Sequence, residues 1–164
     1  MLPPWPGWDG LHPLIIHFPI ALLLVAPVFV ALAILRPKHA GLFGFSALVL
    51  LVLGTAAAFV AVETGKAAAE LATRTEAINA AIERHASLAE TARNVFAALT
   101  ALYAVLLGLP LVFRKLGSRG WVTAANTVFL GLLLAGGLLL ANAAHQGGLL
   151  VHKYGVQAML PPGA

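Results

Sequence analysis

Four apolar runs decide what this chain can become. They cover Leu14 to Leu35, Leu42 to Val62, Val95 to Phe113 and Val122 to Ala144, and each is close to the roughly 20 residues a helix needs to cross hydrocarbon. A backbone in lipid must satisfy its own polar groups, so runs of this length predict helices. Of the 164 residues, 60% are hydrophobic and 10% charged, far from soluble averages. The expected fold is an all-α, polytopic membrane four-helix bundle. Residues 1–10 read as a Pro/Trp-rich leader, 11–156 as the four-span domain and 157–164 as a flexible tail. No Lys or Arg precedes the first run, which favours a retained span over a cleaved secretory signal.

The charges set an orientation. Arg36 and Lys38 separate the first two runs, and Arg114, Lys115 and Arg119 the last two, whereas the stretch from Glu63 to Arg93 mixes four basic with five acidic residues. The positive-inside rule then places both basic turns in the cytoplasm. The termini and residues 63–93 face outward, at the periplasmic side of a bacterial inner membrane. The net charge of +4 gathers no basic face, so nucleic acid is not an expected partner. With no cysteine, disulfides, thiolate metal sites and covalent Cys-x-x-Cys-His haem attachment are excluded within the chain.

In "MLPPWPGWDG", Trp5 and Trp8 read as headgroup anchors. The first helix is predicted to start near His12, with Pro13 in its first turn where no N–H is needed. Pro19 and Pro27 lie deeper, and each removes an intrahelical hydrogen bond and favours a bend. The short turns "RPKHAG" and "RKLGSRG" predict antiparallel neighbours. Small residues in the last run, Gly131, Gly136 and Gly137, favour close helix contact without a clean Gly-x-x-x-Gly motif, and Asn126 and Asn142 lie near its ends. Residues 63–93 are expected to leave the second span as helix, turn, and enter the third as a long helix. Alanine is abundant there, Lys66–Glu70 and Glu70–Arg74 stand four apart, and Ile78, Ile82, His85, Ala89 and Ala92 form a stripe.

Five of the six histidines, His12, His17, His85, His145 and His152, fall on the outer side of this topology, and only His39 on the inner. A lone interfacial histidine needs no function, but imidazoles delivered by three spans to one layer suit a ligand. His12 and His17 diverge by about 140° around a helix, which argues against a single compact ion site. His145 is expected to end the fourth span before Gly147 and Gly148, whose presence interrupts the register to His152. Haem b, held between histidines of separate helices in an apolar bundle, is the leading cofactor. One haem would lie between two of His17, His85 and His145, and two haems would bring in His12. Arg93 is a candidate for a propionate, with pairing to Glu90 as the plain alternative. Zinc or copper on His12, His17, His85 and His145 is the metal alternative, with Glu63 a candidate bridge to a histidine or to Lys66. No Ser-His-Asp constellation, phosphate loop or paired-carboxylate site is apparent.

The segments "HPLIIHFPIALL", "ETG", His85 and "HQGGLLVHKYG" resemble the bacterial membrane family catalogued as domain of unknown function 2231, over residues 10 to 156. The resemblance points to His12, His17, His85 and His145. Relatives carry Tyr at the place of His152, which weakens it as a ligand. Some relatives are joined to Rieske or cytochrome modules, which implies electron transfer by association.

The leading expectation is a haem-b electron carrier with bis-histidine ligation near the outer face, beside a quinol, a periplasmic cytochrome or another redox subunit. His85, Glu90 and Glu63 are the candidates for a quinol's proton route. The competing expectation is an accessory or assembly subunit without its own cofactor, in an oligomer or larger complex. Transport of a metal or small solute ranks third, because no internal repeat is evident in the residues.

Overall fold

The computed structural model describes residues 7–156; Trp5 and the tail at 157–164 lie outside the described residues. No strand occurs among them, and four helices are long and apolar enough to cross a membrane. The first span is made of α1 (His12–Ile15) and α2 (His17–Leu35), which follow a short 3-10 turn at Asp9–Leu11. The other spans are α3 (Ala40–Glu70), α4 (Glu76–Val112) and α5 (Arg119–His152). Pro13 occupies the first turn of α1, as expected. Pro19 cannot donate to the Ile15 carbonyl, and α1 and α2 meet at Ile16, which keeps helical dihedrals (φ −57°, ψ −26°). Pro27 is carried inside α2.

α2, α3, α4 and α5 form a ring in which each helix packs against the next and α5 closes on α2. Both basic turns, Pro37–His39 and Arg114–Gly117, therefore lie at one end. All six acidic residues belong to the opposite, acidic end, together with every histidine except His39. There α3 ends at Glu70, and α4 restarts after Thr75, whose Oγ1 accepts the Ile78 N–H at 3.3 Å. The predicted pairing of Glu70 with Arg74 does not form. Arg74 lies beyond the helix end and donates to the Ala69 carbonyl at 2.9 Å and to Asn79 Oδ1 at 3.2 Å. Lys66 likewise turns from Glu70 to Glu63 and Glu90. Gly147 and Gly148 do not end the last helix. α5 continues to His152, so the register between His145 and His152 is kept.

One buried cluster joins all four spans: Leu23, Ala26 and Val30 with Ala47, Leu51, Phe96, Leu99, Tyr103, Phe129 and Leu133. Its polar inclusion is satisfied. The Tyr103 hydroxyl donates to Asn126 Oδ1 at 2.8 Å, Asn126 Nδ2 donates to the Val122 carbonyl at 2.8 Å, and the Tyr103 ring stacks on Phe129 at 4.3 Å.

The buried registers reveal a repeat that residue identities conceal. One constant shift in numbering carries the buried Pro19, Leu23, Ala26 and Val30 of α2 onto Ala92, Phe96, Leu99 and Tyr103 of α4, all buried. A second constant shift carries Gly44, Ala47, Leu51, Gly54, Ala61 and Ala68 of α3 onto Asn126, Phe129, Leu133, Gly136, Ala143 and Leu150 of α5, again all buried. The second shift is larger because α4 and α5 run further at the basic end and their connection is also longer. Close contacts repeat as well. A Cβ at Gly54 would lie 2.7 Å from Leu23, and one at Gly136 would lie 3.1 Å from Leu99 and 3.4 Å from Phe96. The two helical hairpins thus share much of a buried register, as a pseudo-twofold along the bundle axis would give, although no internal repeat is obvious in the residues.

Candidate functional site

The two hairpins place one histidine each in the same setting. His12, at the start of α1, reaches α3, where its Nδ1 lies 2.9 Å from the Ala61 carbonyl and 3.2 Å from Thr64 Oγ1. His85, midway along the polar part of α4, reaches α5, where its Nδ1 lies 3.0 Å from the Ala143 carbonyl. A carbonyl oxygen can only accept, so Nδ1 carries the proton in both rings, and in the neutral imidazole Nε2 then keeps its lone pair. This orientation by a backbone carbonyl is the usual support of a ligating imidazole.

Glycine makes room for both rings. A Cβ at Gly65 would stand 2.9 Å from His12 Cε1, and one at Gly147 would stand 2.9 Å from His85 Cε1. The segments "AVETG" at 61–65 and "AAHQG" at 143–147 therefore do the same work, with an alanine carbonyl followed one turn later by a glycine seat. The shift that superposes the buried residues of α3 and α5 also superposes Ala61 on Ala143 and Gly65 on Gly147; the shift for the first and third spans places His12 on His85. Both rings are partly buried. Ala61 and Ala143, whose carbonyls anchor the rings, are themselves buried.

The remaining candidates fall elsewhere. His17, His145 and His152 are exposed at the acidic end, and His39 is exposed at the basic end. Ile82 and Ala92 are buried on the same stripe as His85, as the spacing predicted. Arg93 does not pair with Glu90. Its guanidinium lies 5.1 Å over the Phe59 ring, 4.0 Å from Glu63, and its Nε donates to Asn94 Oδ1 at 3.1 Å. Glu90 is taken by Lys66 at 3.1 Å, and Lys66 also holds Glu63 at 3.0 Å, which realises the predicted Glu63–Lys66 bridge. Three or more metal-ligating side chains do not converge anywhere among the described residues.

His12 and His85 stand on separate helices, each imidazole anchored through Nδ1 to a backbone carbonyl, a donor type that can hold a haem iron. Sequence reasoning found the histidines but missed Thr64, the two alanine carbonyls and the glycine seats. The matched Ala-x-x-x-Gly segments were the available signal.

A family model described as predicted membrane protein, DUF2231, matches residues 9–159. No curated protein and no solved structure matches the chain.

Proposed function

Because the chain belongs to the predicted membrane protein family DUF2231, a description that names no activity, we propose from its own geometry that it is a haem-b electron-transfer protein of the bacterial inner membrane. His12 and His85 would hold the haem. The observation that carries this reading is the repeated setting of the two rings, each donating from Nδ1 to a backbone carbonyl, at 2.9 and 3.0 Å, and each seated on a glycine. Bound between them, haem b would supply one-electron transfer in a low-dielectric bundle.

The chain's residues account for the rest. Ala61, Thr64 and Ala143 fix the orientation of the imidazoles, and Gly65 and Gly147 let them lie flat against the neighbouring helices. Arg93 and Lys66, balanced by Glu63 and Glu90, give the acidic end a mixed charge at which a propionate can be met without a large net field. The basic turns face the cytoplasm, so the histidine layer faces the periplasm, within reach of a quinol or a periplasmic redox partner.

A second reading, an accessory subunit of a redox complex without its own cofactor, is favoured by the tightness of the glycine seats, which would serve helix packing alone. Visible spectra of the detergent-purified chain, produced with ample haem, separate the two. A strong Soret band with a sharp alpha band on reduction supports the haem protein. A colourless chain sinks it.

A further inference from the structure

The two seams between the hairpins carry different chemistry. α3 and α4 are fastened along their shared length. Thr55 and Thr100 share a hydrogen bond at 2.9 Å, Arg93 covers Phe59, and Lys66 Nζ stands between Glu63 and Glu90 at 3.0 and 3.1 Å. The shifts that superpose the buried registers carry these residues onto the seam between α5 and α2. Thr55 becomes Gly137, Thr100 becomes Pro27, Phe59 becomes Ala141 and Arg93 becomes Ile20. Among the described residues none of the polar fastening is reproduced there.

At the acidic end the replacement is more pointed. Glu63 becomes His145, Glu90 becomes His17, and Lys66, the cation that joins the carboxylates, becomes Gly148. The two helices meet at a comparable level in this seam. A Cβ at Gly137 would lie 3.7 Å from Leu24, and about two helical turns from that contact toward the acidic end α2 reaches His17 and α5 reaches His145. Both imidazoles are exposed, and the space beside Gly148 is open, with nothing within 4 Å of a Cβ placed there.

We propose that His17 and His145 together bind a divalent transition-metal ion of the Zn²⁺ class across the α2–α5 seam. The ion stands where Lys66 stands in the other seam. The exchange of donors matches the exchange of cation: carboxylates suit a lysine ammonium, whereas neutral imidazoles suit Zn²⁺ or Cu²⁺. With two protein donors the ion keeps positions for water, unlike a closed structural zinc site. His152, on the same face of α5, is two turns farther out, about 10 Å along the helix, and is not a third ligand. The site shares no residue with the proposed haem ligands, so either can fail without the other.

The test is a Zn²⁺ titration of the detergent-purified full chain after chelator treatment, by calorimetry. One ion per chain is expected. His17→Gln and His145→Gln should each weaken binding at least about tenfold, about 1.4 kcal/mol, while His12→Ala with His85→Ala leaves it unchanged. Cu²⁺ added to the same protein should show two imidazole nitrogens by electron paramagnetic resonance. Zn²⁺ binding weaker than about 1 mM in the wild type, retention of affinity in both single variants, or loss with His12 and His85 instead would overturn the proposal.

Discussion

His85 lies against Gly147 so closely that a Cβ on the glycine would stand 2.9 Å from its Cε1, and His12 lies against Gly65 at the same distance. A methyl group at either glycine must push an imidazole off its carbonyl anchor. Gly65→Ala and Gly147→Ala should each destabilise the bundle by about 1–3 kcal/mol, the cost of overpacking a tight contact. Gly148→Ala, where nothing stands within 4 Å, should be neutral or stabilise by about 0.5–1 kcal/mol through helix propensity. Thermal unfolding in one detergent checks the contrast. Equal effects at Gly147 and Gly148 would show that the seat does not matter.

The pseudo-twofold makes a prediction about the core. Gly54 and Gly136 occupy the same place in the two hairpins and admit Leu23 and Leu99. Alanine at either should lower stability by about 1–3 kcal/mol, whereas Gly131→Ala, in open space, should not. Unfolding midpoints of the three variants decide it, and tolerance at Gly54 with damage at Gly131 would contradict the register.

Tyr103 and Asn126 form the buried polar contact of α4 with α5, at 2.8 Å. Interhelical hydrogen bonds in membranes average about 0.6 kcal/mol. A double-mutant cycle with Tyr103→Phe and Asn126→Ala should therefore give a coupling of about 0.5–1.5 kcal/mol. Additivity of the two substitutions would show that the bond contributes nothing.

The absence of cysteine makes topology directly measurable. A single cysteine at Lys38, in a basic turn, should be labelled by an impermeant thiol reagent only from the cytoplasmic side. One at Glu76, the first residue of α4, should be labelled only from the periplasmic side. Labelling of both from one side would overturn the four-span arrangement, and reversal would turn the histidine layer inward.

The fold was legible because length and hydropathy act on the backbone as a whole: four runs near bilayer thickness with short basic turns leave few arrangements open. The start at His12 with Pro13 and the burial of Ile82 and Ala92 followed from local rules. The end of α5 did not, because Gly147 and Gly148 read as a helix exit. Instead, Gly147 is kept inside the helix to receive the His85 ring. Glycine has the same composition signal in either use, and only the partner helix distinguishes them. The repeat was hidden for a related reason. Val30 and Tyr103, or Gly44 and Asn126, share a position and no chemistry, so the likeness lies in burial register. The ion pairs failed where a four-residue spacing was trusted over a partner on another helix, as with Lys66 and Glu90.

The haem content of the purified chain tests the central claim most directly. About one haem b per chain is predicted for the wild type and for His39→Ala, whose imidazole lies at the basic end, falling below about 0.1 in His12→Ala and in His85→Ala, because either loss leaves a single axial donor. Full haem content in both of the latter variants, or none in the wild type, would contradict the assignment.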